Sequence, residues 1–168
     1  MAALHEGSDL VLKLYDLRRE ATMREARNWY RVHFNPESMQ EVVAVLEGPH
    51  SAFFRMVVSY WDMAAALVNR GAIDEGLFNE VNVEHVGTFA KVEPFVADLR
   101  AALGNPDFLL QLERLVLRLP NARARLAAVR EQSRASGTRP ETAAAPELGS
   151  PLAVRTPSGQ PARQQAQG

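Results

Sequence analysis

A chain of 168 residues, 46% apolar and 23% charged, has room for one domain with a real core. It has no cysteine, which excludes a disulfide framework, a thiolate metal site and a thiol nucleophile. The net charge of −1 divides unevenly, with 12 Lys and Arg against 17 Asp and Glu over residues 1–120, and 7 Arg against 3 Glu over residues 121–168.

The acidic body argues against a nucleic-acid partner, because neutralising phosphates needs a basic face. The first twenty residues show no basic leader followed by an apolar run, and no apolar stretch reaches the ~18–20 residues that span a bilayer. A cytoplasmic chain with no membrane partner is therefore expected. Ser8 is positioned to cap a first helix starting at Asp9, with Leu10, Leu14, Leu17 and Ala21 on one face. Thr22 and Glu25 form a capping-box pattern, so residues 9–34 are either two helices or one bent helix. Asn35-Pro36 breaks the chain. Ser38 with Glu41 then caps a short helix whose buried side is Met39, Val42, Val43 and Leu46, ended by Gly48-Pro49.

Residues 51–70, SAFFRMVVSYWDMAAALVNR, are the most apolar and aromatic stretch. Their apolar side chains cover most of a helix circumference, which predicts a central helix of a bundle closed by Gly71. Asp74 is a candidate cap for a long amphipathic segment through Leu77, Phe78, Val81, His85, Phe89, Val92, Phe95 and Leu99, with Pro94 forcing a break near Val92 and Glu93. Gly104 closes it, and Asn105-Pro106 has the order of a helix start, followed by an apolar face of Phe108, Leu109, Leu112, Leu115, Val116 and Leu119. Pro120-Asn121 interrupts before a last helix over 122–134, anchored by Leu126 and Val129. From Ser136 the sequence lacks aromatics and repeats Pro and Gly, which predicts a disordered tail over 136–168 after a domain over 1–135. The fold class is all-α, with about six helices around 51–70.

Three phrases, NWYRVHFNPES, FRMVVSYWDMAAALVNRGAID and FAKVEPFVADLRAALGNPDFLLQLERLV, resemble an all-helical bacterial family described as a domain of unknown function. The pattern carrying the likeness is an aromatic-Asp pair near the middle of the central helix, then Gly-Ala-Ile-Asp, then a helix ending in Pro-Phe and Leu-Arg. It covers roughly residues 10–126. The resemblance implies a helical fold and brings no activity or functional residue with it.

Arg55 and Asp62 interrupt the central helix seven residues apart, hence on one side. Charges in such surroundings need partners, and Arg100, Lys91, Glu93 and Asn69 are the candidates. The set Arg55, Asp62, Asn69, His85 and Arg100 is the candidate ligand-binding group, weighed against an ion-pair network that fixes helix register. His85 lies near Glu80 and Glu84, but the spacing departs from the Glu-x-x-His pattern of helical di-metal sites, so no metal, cofactor or catalytic residue is assigned. Trp29, Tyr30, Tyr60 and Trp61 read as core, and the glycines lack phosphate-loop spacing. The reading that results is a non-enzymatic protein-interaction or scaffold module, with a protein partner or a second copy. Its rivals are a ligand-binding bundle with a polar pocket near Arg55 and Asp62, and an enzyme of unrecognised type.

Overall fold

In a computed structural model, which describes residues 2–137, every regular element among those residues is helical. Helix α1 (Ala2–Arg19) passes into α2 (Ala21–Val32) through Glu20, whose non-helical backbone turns the chain and whose carboxylate accepts the Met23 amide at 2.8 Å. Residues 9–34 are thus two helices, with the break at Glu20 rather than at Thr22. A carboxylate two residues upstream satisfies the free amides of the first turn in place of the Thr22 hydroxyl. The amides of Met23 and Thr22 hold the Glu20 carboxyl below its ordinary range. Helix α1 also begins earlier than a Ser8 cap implies, and Ser8 lies inside it. Helix α3 (Met39–Glu47) follows the Asn35-Pro36 break. Ser38 Oγ accepts the Glu41 amide at 3.3 Å, while the Glu41 carboxylate accepts the Glu37 amide at 2.9 Å.

Helix α4 (Ser51–Asn69) ends in paired reverse bonds, from the Gly71 amide to the Val68 carbonyl and from the Ala72 amide to the Leu67 carbonyl, both at 2.9 Å. That closure needs a left-handed residue, and Gly71 supplies it at φ 74°. The turn it makes brings Ala72 and Ile73 against Gly7 of α1, where a Cβ would lie 3.2 Å from the Ala72 carbonyl oxygen. Asp74 caps α5 (Glu75–Val81) through the Leu77 amide at 2.8 Å.

The segment beyond α5 divides more finely than the proline alone foretells. It contains α6 (Glu84–Val92), a 3-10 turn over Glu93–Phe95 at Pro94, and α7 (Val96–Leu103). The additional break falls at Asn82, between two β-branched valines of modest helix propensity. Asn82 turns its amide back to the Phe78 carbonyl at 3.1 Å. Helix α8 (Leu110–Leu117) starts later than Asn105-Pro106 suggests. Those residues form turns instead, and Leu109 enters the helix from a left-handed conformation at φ 56°. Asn121, at φ 54°, separates α8 from α9 (Ala122–Gly137). The predicted disordered tail lies outside the described residues, apart from Ser136 and Gly137 at the end of α9.

Helix α4 is the axis, in contact with α2 and α8 most extensively and also with α3, α5 and α6. Phe54, Val57, Val58, Tyr60, Trp61, Ala64, Ala65 and Val68 are buried along it, while Ala52, Arg55, Ser59 and Met63 keep one stripe open. Enclosure is greatest at α6, where seven of nine residues are buried. The four aromatics read as core are indeed buried: Tyr30 donates its hydroxyl to the Thr88 carbonyl at 2.9 Å, and Tyr60 donates to that of Leu14 at 2.7 Å. No helix among the described residues is long and apolar enough to cross a membrane. Leu17, Ala21 and Val81, expected inside, are exposed.

Trp61 is 1% exposed and meets Tyr60, Phe78 and His85 edge-on or tilted. Trp61→Ala is expected to lower unfolding free energy by about 3–5 kcal/mol in urea denaturation, the range for emptying a large aromatic site.

Candidate functional site

The left-handed entry at Leu109 leaves α8 without a capping side chain of its own. Asp62, on α4, takes that role from fifty residues away: its Oδ1 accepts the Leu112 amide at 2.8 Å. A carboxylate there also faces the positive end of the α8 dipole. Burial raises the Asp62 carboxyl above its ordinary value, opposed by the Leu112 and Gln111 amides and by the charge of Arg100.

Two more of the candidate residues complete the same seam. Asn69, two turns beyond Asp62 on α4, donates its amide to the Gln111 carbonyl at 2.9 Å and to the Gln111 Oε1 at 3.0 Å. Its own Oδ1 accepts from Arg118 at 2.7 Å. Arg100 braces the turn before α8 by donating to the Phe108 carbonyl at 3.0 Å and to the Glu113 carboxylate at 2.7 Å. Asp62, Asn69 and Arg100 thus converge on the start of α8, with donors and acceptors matched to one another. What the seam does chemically is hold a helix end in place.

Arg55 and His85 stand apart from that seam. Arg55 is exposed on the open stripe of α4 and makes no ion pair among the described residues. The i, i+7 spacing puts it on the Asp62 side of α4, yet it takes no part in the hydrogen bonds of the seam among the described residues. The other partners considered for this pair are engaged elsewhere. Glu93 pairs with Arg130 at 2.8 Å. Lys91 donates to the Tyr30 and Arg31 carbonyls at 3.0 and 2.8 Å, closing the C-terminal end of α2. Burial, aided by Arg31, lowers the Lys91 amine to about 8.

His85 is 1% exposed, 5.8 Å from the Trp61 ring and 5.2 Å from the Phe78 ring, centre to centre. Neither of its nitrogens, nor Trp61 Nε1, meets a hydrogen-bond partner among the described residues. Burial, with a smaller contribution from Arg125, lowers its pKa from 6.5 to about 4. Its neighbour Glu84 is committed to Arg18 at 3.1 Å and to Arg27, while Glu80 is exposed. Among the described residues, no three His, Asp or Glu side chains come together as a metal site.

The network of Arg18, Arg27, Asn82 and Glu84 was not singled out from the sequence. Arg18 donates to Asn82 at 2.9 Å and Arg27 Nε donates to Glu84 at 2.7 Å, joining α1 and α2 to the start of α6. The available signal was Val-Asn-Val-Glu, a break followed by an acidic first turn.

The buried imidazole sets a pH dependence. The unfolded chain protonates His85 near 6.5, the folded chain only near 4. Stability from this group is therefore complete above pH 6.5 and falls as pH drops through 4, by about 3 kcal/mol in all. Urea midpoints between pH 7 and pH 4 are expected to fall more steeply for the wild-type chain than for His85→Phe. Equal slopes would place His85 in contact with solvent.

Comparison with known proteins brings no activity to these residues. No curated protein matches the chain, and no solved structure matches it. A family model does match, over residues 3–119, and it spans α1 to the end of α8 together with the Asp62 seam and His85. The chain belongs to that family, which is described as a domain of unknown function, DUF4760.

Proposed function

We propose that this chain is a non-enzymatic helical interaction module, a bacterial cytoplasmic protein that binds a partner protein or a second copy of itself. The observation that supports the reading is where large apolar side chains face outward. On α1, Leu12 is 63% exposed and Tyr15 and Leu17 are also open, while Val83 is 76% exposed and Val81 open at the link between α5 and α6. Arg18 ties that link to α1 through Asn82. Large apolar side chains left open to water, interspersed here with the charges of Lys13, Asp16 and Arg19, are the kind of surface that a partner covers.

Against the internal-pocket reading stands the engagement of Asp62 by the Leu112 amide. Against the enzyme reading stands the commitment of Glu84 to two arginines.

The lysine content provides a direct probe. Lys13 and Lys91 are the only lysines, Lys91 is buried, and Lys13 adjoins Leu12 on the exposed side of α1. Amine-reactive cross-linking in cells that make the protein is expected to link Lys13 to a defined protein or to a second copy. Leu12→Glu with Tyr15→Glu should abolish that link with no change in melting temperature. Lys13 left unlinked, or linked equally in the variant, contradicts the reading.

A further inference from the structure

The outward side of α2 is arginine-rich, on a body whose net charge is negative. Arg24, Arg27, Asn28 and Arg31 recur at i, i+3, i+4 and i+7, so they occupy one helical face. Together with Glu84 they line a cleft of about 260 Å³. Arg27 is held rigidly there, by both oxygens of Glu84 and by the Arg18 carbonyl at 3.2 Å. Its hydrogen bond to Glu84 keeps its guanidinium protonated more firmly still.

Glu84 is the one carboxylate lining the cleft, and Arg18 draws on it as well. One negative charge thus serves two guanidiniums. Arg31 donates to Asn28 Oδ1 at 3.1 Å, and the charge of Arg24 acts on Glu20, one turn back. Neither forms an ion pair among the described residues. Glu84 opens α6, whose Val83 cap position carries no capping side chain, so the positive end of that helix lies at the cleft rim. Like charges one turn apart destabilise a helix slightly, and an anion between them reverses that sign.

We propose that this cleft binds a free small polyanion of the diphosphate class. Guanidinium forks match phosphate oxygens two at a time, which a lysine surface does not. Arginines on successive turns suit a ligand with two linked phosphates. The cleft volume lies just under the range of pockets that enclose a whole drug-sized ligand, and it has room for a pair of linked phosphates. The arginines that would hold the anion are not among the exposed apolar residues of the interaction reading, although Val83 adjoins both, and either reading can fail without the other.

The test is calorimetric titration of the full chain with sodium pyrophosphate, and with sodium sulfate at matched ionic strength. Saturable one-to-one binding of pyrophosphate is expected, at least tenfold tighter than sulfate. R24Q with R31Q should weaken it at least tenfold at an unchanged melting temperature, since both side chains are exposed. R114Q with R123Q, exposed arginines outside the cleft, should leave it unchanged. Absence of saturable pyrophosphate binding, equal affinity for sulfate, or equal losses in the two double variants would overturn the proposal.

Discussion

The hydrogen bond from the Leu112 amide to the Asp62 carboxylate joins the helices in most extensive contact among the described residues, α4 and α8. Helix α8 begins at a left-handed leucine that has no side chain able to cap it. The amide of the buried Leu112 would otherwise lack this partner, at a penalty of about 1–3 kcal/mol. The carboxylate that meets it loses hydration, which shows as an upward shift of its own ionisation. The two groups are each unfavourable inside the protein and favourable together. Asn69 and Arg100 extend the arrangement on either side, so the start of α8 is fixed in position and register rather than merely covered.

The same economy recurs wherever an ionised group enters the interior. Lys91 is set against the last carbonyls of α2, where a cation complements the negative helix end. Arg130 reaches both the Ala90 carbonyl and Glu93, joining α9 to the end of α6. His85 departs from the pattern: it is buried beside aromatic rings with neither nitrogen partnered, and it stays neutral as a result. Interior polar groups here act mainly between helices. The chemistry left free for ligands or partners is on the surface, in the arginines of α2 and the apolar side chains of α1.

Much of the architecture was legible in the sequence because it is written in local signals. Ser38 with Glu41, Asp74, Gly71, Gly104 and Pro94 each mark a boundary through their own backbone chemistry, and the structure places a boundary at each. Capping at Glu20 was less visible, since Thr22 with Glu25 offers a stronger pattern two residues later. The break at Asn82 has only the faint local signal of Val-Asn-Val-Glu, and the residue that ties it down, Arg18, is sixty-four residues away. The start of α8 was misplaced for the same reason, because its cap resides on another helix. For the candidate site, the seven-residue step from Arg55 to Asp62 predicts one shared side of α4, but periodicity could not tell that Asp62 would meet the Leu112 amide while Arg55 stays exposed. Asn69, considered only as a partner, lies on α4 itself.

Native-state hydrogen exchange at the Leu112 amide tests the Asp62 anchor most directly. In Asp62→Ala, protection at Leu112 is expected to fall about tenfold or more relative to wild type, equivalent to the ~1–2 kcal/mol of a lost cap, while amides in α2 and α3 change far less. Unaltered protection at Leu112 would contradict the account, as would an equal loss across all helices.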